Sequence, residues 1–251
     1  MRARLIVGGI ALVLAGAGLA PAQTDEARAI IERAVQAHGG EERLAQNRAE
    51  KVRMRGTLYV PRGAYPFDAE VTAQLPAQMK TVMEIRDREG HTRTLVHLVN
   101  AGRMTTFVDG KREPKTDPAA LQDMAAALQL QRAYRLVPLL RDRSFELAPL
   151  GEIKVNDRPA LGVRVTSRGK PELRLFFDKE LGLLVKTETL LDDGAGKQVR
   201  HEQYVGDYKD VEGWKRFFKM AAYKAGKKIM EAEVVSVKYL DRIDNSEFTK
   251  P

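Results

Sequence analysis

Along this chain the spacing of apolar residues switches between a period near 3.6 and a period of 2, and the switches mark the elements. Ala27, Ile30, Ile31, Ala34 and Val35 fall at helical spacing behind Thr24 and Asp25, either of which can cap a helix, and Gly39-Gly40 ends it. Glu41–Gln46 reads as a short helical turn. From Glu50 the period becomes 2. Val52, Met54, Gly56, Leu58 and Val60 alternate with Lys51, Arg53, Arg55, Thr57 and Tyr59, which predicts a strand with one apolar and one wet face. The pattern repeats in Phe67, Ala69, Val71 and Ala73, then in Met79, Thr81, Met83 and Ile85 before the turn at Asp87–Gly90. Thr92, Thr94, Val96 and Leu98 follow, and then Met104, Thr106 and Val108 before Asp109-Gly110. Short strands joined by Asp-Gly, Asn-Ala-Gly and Pro-containing turns indicate an antiparallel meander.

A helix interrupts it. Asp117 is a good N-cap and Pro118 suits the first helical position. Leu121, Met124, Ala125 and Leu128 then line one face up to Tyr134, and Pro138 stops or kinks the segment. From Phe145 the period-2 pattern resumes in Leu161–Val165, Leu173–Phe177, Leu183–Thr187, Gln198–Tyr208 and Lys228–Leu240. In the last of these the apolar face switches between Val234 and Val235, which predicts a bulge or burial on both sides. No linker rich in Pro, Gly or Ser and no internal repeat divides the pattern. The expectation is a single α+β domain over residues 23–251. About ten antiparallel strands would form a strongly curved sheet, a half-open β-barrel, with helices covering its concave face. A sheet of that size, closed only in part and plugged by helices, leaves a pocket.

The 251 residues are 43% hydrophobic and 30% charged, which excludes disordered and low-complexity classes. The absence of cysteine removes disulfides, thiol nucleophiles, Cys-zinc sites and Cys-linked lipid anchors together. Arg2 and Arg4, the apolar run Leu5–Ala20 and the small-x-small site Ala20-Pro21-Ala22 predict a secretory signal peptide over residues 1–22. The run is short of the roughly 20 residues a spanning helix needs, so an uncleaved anchor is the weaker alternative. The protein is therefore expected in the periplasm or cell envelope, soluble and without a lipid anchor. Cleavage would remove Arg2 and Arg4 and take the net charge from +8 to +6. Bases and acids interleave throughout, as in EIRDREGHTR and DYKDVEGWKR, and no basic block carries stacking aromatics. That pattern argues against a nucleic-acid partner and leaves phospholipid headgroups as a possible anionic one.

Catalytic chemistry finds little support. The histidines are His38, His91, His97 and His201, and His91 and His97 are about 20 Å apart along an extended strand. No H-E-x-x-H or H-x-H pattern occurs, so no metal site is expected. His38 precedes Gly39-Gly40 at a helix end, where an imidazole is well placed against the helix dipole. Ser144, Ser167, Ser236 and Ser246 lie outside any G-x-S-x-G. Asp192-Asp193-Gly194 has some flavour of a calcium loop but lacks the remaining ligands and reads as a hairpin turn. Glu231 and Glu233 share a strand face about 7 Å apart, as exposed strand carboxylates commonly do. No catalytic residue, metal or cofactor is expected.

Several segments resemble the periplasmic lipoprotein-carrier (LolA-like) family and its relatives, which include mycobacterial lipid-binding lipoproteins and an anti-sigma-factor regulator's sensor domain. They are the helix Ala27–Leu44 with its following strand ending in RGTL, the strand-turn-strand Val155–Val165, and the hairpin LRLFFDKELGLLVKTE at Leu173–Glu188. Asp207–Met220 and Asp241–Pro251 resemble the closing strands and tail. Relatives usually carry a proline where Phe217 stands here, a difference confined to a turn. The family's functional residues form no short motif to match, so none is carried over. The resemblance implies an eleven-strand, half-open barrel holding acyl chains beneath a helical lid.

On that reading the partners are lipid or lipoprotein acyl chains, with membrane-associated donor and acceptor proteins possible. The predicted apolar faces nominate a lining of Met54, Leu58, Phe67, Val71, Met83, Ile85, Val96, Leu98, Leu121, Met124, Leu128, Leu175 and Phe177. Flexible thioethers among them suit an irregular apolar ligand, though the same residues also serve as core filler. Two other readings stand beside it: an envelope protein-interaction or stress-sensor module on the same sheet, and an enzyme of unknown type.

Overall fold

The computed structural model describes residues 21–46, 48–114, 118–192 and 196–251. Helices α1 (Pro21–His38) and α2 (Glu41–Gln46) come first. Strands β1 (Ala49–Val60), β2 (Gly63–Gln74), β3 (Gln78–Arg86), β4 (Thr92–Asn100), β5 (Arg103–Val108) and β6 (Lys111–Arg112) follow. Helices α3 (Pro118–Tyr134) and α4 (Val137–Arg141) then intervene. The chain resumes with β7 (Phe145–Val155), β8 (Arg158–Ser167), β9 (Leu173–Asp178), β10 (Leu184–Asp192), β11 (Gln198–Val211), β12 (Trp214–Lys224) and β13 (Lys227–Leu240), and a 3-10 turn at Asn245–Phe248. The apolar run of the predicted signal peptide, the predicted cap Asp117 and the turn residues Asp193 and Gly194 lie outside the described residues. Helix α1 begins at Pro21, ahead of the predicted caps Thr24 and Asp25.

All thirteen strands form one strongly curved antiparallel sheet in the order β6-β5-β4-β3-β2-β1-β13-β12-β11-β10-β9-β8-β7. The first and last strands of the chain meet in the middle, and each half runs outward as a meander to a free edge. The three strands beyond the predicted ten are β6, β7 and β12. Strand β6 has only two residues, β7 is broken by a register shift between Pro149 and Gly151, and β12 carries the run WKRFFKMAAYK without clean alternation. Tight turns are written into the sequence as X-Gly pairs. Asp109-Gly110 (φ 51° and 76°) and Ala225-Gly226 (φ 50° and 75°) are left-handed at both central positions, the turn whose twist matches paired strands. The pairing steps from Arg53–Ser236 to Met54–Val234, so Val235 is an extra residue and 52% exposed. The switch of apolar face in the last strand is a bulge.

Cross-strand partners share a face, and one inner row runs Leu58–Met230–Ala222–Gln203–Thr187–Leu175–Val163 from β1 to β8. Helix α1 packs Ala27, Ile31, Ala34 and Val35 on this face, against Val163, Leu175, Phe177 and Trp214. Helix α3 sets Met124 and Leu128 against Ala73, Met79 and Val99 on the same face, further along the sheet. The outer face is closed near the chain's end, where Phe248 packs with Ala49 and Ile243.

One buried ion cluster ties the helices to the sheet. Glu50 in β1 is fully buried, and its two carboxylate oxygens lie 3.6 Å from Arg135, just after α3, and 3.6 Å from Arg216 in β12. Both guanidinium groups sit over the Trp214 ring, which stacks on Tyr239. Removing the acid that both guanidinium groups share leaves Arg216 buried without that counter-charge. Glu50→Gln should therefore cost about 3–5 kcal/mol of unfolding free energy in urea, whereas a loss below about 1 kcal/mol would show that the cluster is not a tie.

His38 closes α1 from inside. Its Nδ1–H donates to the Ala34 carbonyl at 2.8 Å and its ring meets Tyr208 edge-on, so the helix end is capped by a neutral imidazole. Burial lowers its pKa from 6.5 to about 4. As pH falls through 6.5 the unfolded chain takes up a proton that the folded one refuses. The fold therefore loses stability between pH 6.5 and about 4, by about 3 kcal/mol at most, and is unaffected by this group above that range. Denaturation of His38→Gln at pH 7 and pH 4 should show a smaller drop than the wild type, and an equal drop would remove His38 as the cause.

Candidate ligand-binding site

Helix α3 crosses the inner face as a roof, sealed on one side and raised on the other. Met124 and Leu128 seal it against β2–β5. Toward β9–β13 the roof is made of Ala126 and Ala127, with Leu130 beyond them, and the short alanine side chains leave a cavity of about 430 Å³ above Leu173, Leu191, Ala222 and Ile229. The cavity is apolar along its length and polar at its ends. Near the end of α3, the Tyr134 hydroxyl donates to Gln203 Oε1 at 2.5 Å. At the opposite end the inner row Leu173–Thr189–His201–Lys224 crosses four strands. Thr189 donates to the Glu172 carbonyl at 2.8 Å. His201 Nε2 is enclosed without a partner, and burial lowers the pKa of the ring. Asp123 of α3 faces the same end.

Beside the cavity the floor rises into a second apolar patch. Phe67, Ala69 and Ala232 are buried there, ringed by the half-buried Met54, Leu58, Met83, Ile85, Met220 and Met230. Gly56 makes it possible. A Cβ there would lie 2.9 Å from Phe67 Cε1 and 2.0 Å from the Glu231 carbonyl oxygen, so only glycine lets the ring lie over the strand. The Gln203 amide lies 3.7 Å from Met220 Sδ and links this patch to the cavity. Four methionines on one open apolar surface can reshape around a ligand at little cost.

The structure gathers some of the residues nominated from the sequence and separates others. Met54, Leu58, Phe67, Met83 and Ile85 come together on the methionine floor. Val71, Met124 and Leu128 meet in the seal beside the cavity. Leu175 and Phe177 are fully buried beneath α1. Leu121 turns outward and is 43% exposed, which corrects the helical face drawn through it and Ala125. Val96 and Leu98 pair with Val82 and Lys80 and so stand on the outer face, opposite Met83 and Leu95. Strand β4 is apolar on both faces, with Leu95, Val96, Leu98 and Val99, so alternation alone could not orient it. The cavity combines large apolar residues of its floor, Leu173, Leu191 and Ile229, with alanines, threonines and Gln203, and the small and polar members carry no signal in a pattern of large apolar positions.

The carboxylates Glu231, Glu233 and Asp87 have partners of their own. Glu231 accepts from Tyr59 at 2.5 Å and Lys228 at 2.9 Å, and Glu233 pairs with Lys219 at 3.8 Å. Among the described residues, one group could hold a metal ion by geometry, the exposed Asp87, Glu89 and His91. There Asp87 already accepts from the backbone of Glu89 and His91 and closes the β3–β4 turn. A groove of about 820 Å³ on the outer face is lined by Arg55, Asp68, Lys219, Glu231 and Glu233, most of them paired across strands. Among the described residues no helix is long and apolar enough to cross a membrane.

No protein-family model and no curated protein matches the sequence. Solved structures do match in three dimensions. A domain from Vibrio parahaemolyticus assigned as an outer membrane lipoprotein-sorting protein is similar at 12% identity and a TM-score of 0.55, over 90% of this chain and 97% of that one. A LolA superfamily protein from Nitrosomonas europaea is similar at 11% identity and a TM-score of 0.56, over 89% and 97%. A DUF1329 family protein from Desulfovibrio piger is similar at 12% identity and a TM-score of 0.50, over 88% and 96%. At such identities the likeness is one of fold, and the fold is LolA-like.

Proposed function

With a LolA-like fold as premise, we propose that the protein is exported to the cell envelope and binds the acyl chain of a lipid or lipoprotein non-covalently, as a carrier and not as an enzyme. The observation that carries this reading is the roofed apolar cavity on the inner face, continuous with a floor of half-buried methionines. Binding would draw on burial of chain methylenes, each worth about 0.8 kcal/mol. The roof suits loading and release. Over the cavity α3 presents Ala126 and Ala127, so a chain can slide beneath that stretch without breaking large contacts. The assignment of the Vibrio domain to lipoprotein sorting supports a carrier role, and the predicted signal peptide supports export. Membrane-associated donor and acceptor proteins would then be the partners. A second reading, a protein-recognition module, draws on the charged outer groove.

Filling the cavity separates these readings. Detergent-free protein should take up a fluorescent fatty acid saturably, and Ala126→Trp combined with Ala222→Leu should weaken uptake at least tenfold with the melting temperature nearly unchanged. No uptake by the wild type, or equal uptake by the filled variant, would remove the cavity from the function and leave the recognition module ahead.

A further inference from the structure

The shape and ends of the cavity restrict what kind of lipid it can hold, given the carrier reading on which this inference rests. A water-sized unit of liquid occupies ~30 Å³, and a chain carbon displaces a similar volume, so a cavity of about 430 Å³ holds on the order of 14 of them. That is the volume of one acyl chain. A second chain would have to lie on the open methionine floor, outside the roof and only partly covered.

The polar end has a definite charge. His201 and Lys224 are direct cross-strand partners on the inner face, and both line the cavity. Among the described residues the Lys224 side chain makes no hydrogen bond or ion pair. His201 Nε2 is enclosed and without a partner, an arrangement that costs stability unless something arrives to meet it. Lys227, opposite Lys224 in the β12–β13 hairpin, adds a second cation at the rim. Facing them from the roof is Asp123, which is exposed and therefore screened by water, whereas Lys224 and His201 are half-buried. Lys227 is exposed and screened in the same way, and Glu188 and Glu202, which also border the cavity, are each held by Lys186 at 2.7 Å, so the half-buried Lys224 sets the sign.

We infer that the ligand is a single-chain amphiphile with an anionic oxygen headgroup, its chain under α3 and its head between Lys224 and His201. A carboxylate and a phosphate monoester share this chemistry. Lys224 supplies the charge, and His201, protonated at Nε2, donates a hydrogen bond to the oxyanion.

Calorimetric titration at pH 8 of the wild type and of Lys224→Met with myristate, tetradecanol, a single-chain myristoyl lysophosphatidic acid and its diacyl counterpart tests the inference. The wild type should bind the two single-chain anions about tenfold or more tighter than tetradecanol. Lys224→Met should lose that preference while keeping its affinity for tetradecanol. The tighter of the two anions names the headgroup. Equal binding of myristate and tetradecanol by the wild type would overturn the headgroup assignment and leave the carrier reading standing. Diacyl lipid bound as tightly as the single-chain form would overturn the chain count. Binding of none of the four would overturn the carrier reading itself.

Discussion

An antiparallel sheet that curves without closing has an apolar inner face and nothing of its own to cover it. In this protein thirteen strands make that face, and neither edge meets the other. Every other feature of the inner surface answers to this constraint. Helix α1 packs Ile31 and Val35, with Ala27 and Ala34 between them, into a dense core over β8, β9 and β12. Helix α3 must span the rest, and one helix is too narrow for it. It seals against β2–β5 with Met124 and Leu128, and toward β10–β12 it presents alanines to a gap. The cavity is what remains when a wide apolar sheet is covered by too little helix.

The roof is held at one end. Arg135 joins Glu50 just beyond the last turn of α3, and Tyr134 joins Gln203. These contacts fix where α3 leaves the sheet and therefore where the cavity stops. A buried carboxylate between two guanidinium groups contributes less to stability than its Coulomb energy suggests, because all three groups give up water. Its value lies in geometry, since Glu50 ties the end of α3 to β1 and, across the intervening β13, to β12. The polar end of the cavity is the reverse case, with an unpaired lysine and an imidazole nitrogen that lacks a partner.

Much of the fold was legible in the chain, for reasons that can be named. Period-2 alternation in β1, β2 and β3 marked strands with one apolar face, and the X-Gly turns between strands set their ends. The broken alternation at Val234 and Val235 marked the bulge. Strand β7 escaped because Pro149 and a register shift interrupt it, and β12 because charged and apolar residues run together. The candidate site was less legible. Alternation shows which residues share a face only if one face is polar, so β4, apolar on both, misplaced Val96 and Leu98. A cavity is also an absence of side chains, and the alanines that make it leave no mark in a pattern of large apolar residues. Glu50, Arg135 and Arg216 lie far apart in sequence, and only the sheet's topology brings them together.

The claim that the gap beneath α3 is a lipid site can be tested most directly on the protein as the cell makes it. The exported protein would be purified from the envelope without detergent, and its organic extract quantified by mass spectrometry against protein concentration. The account predicts about one acyl-chain lipid per chain, with a single chain and an acidic head. An extract free of stoichiometric lipid, from folded protein that also excludes added fatty acid, would contradict it.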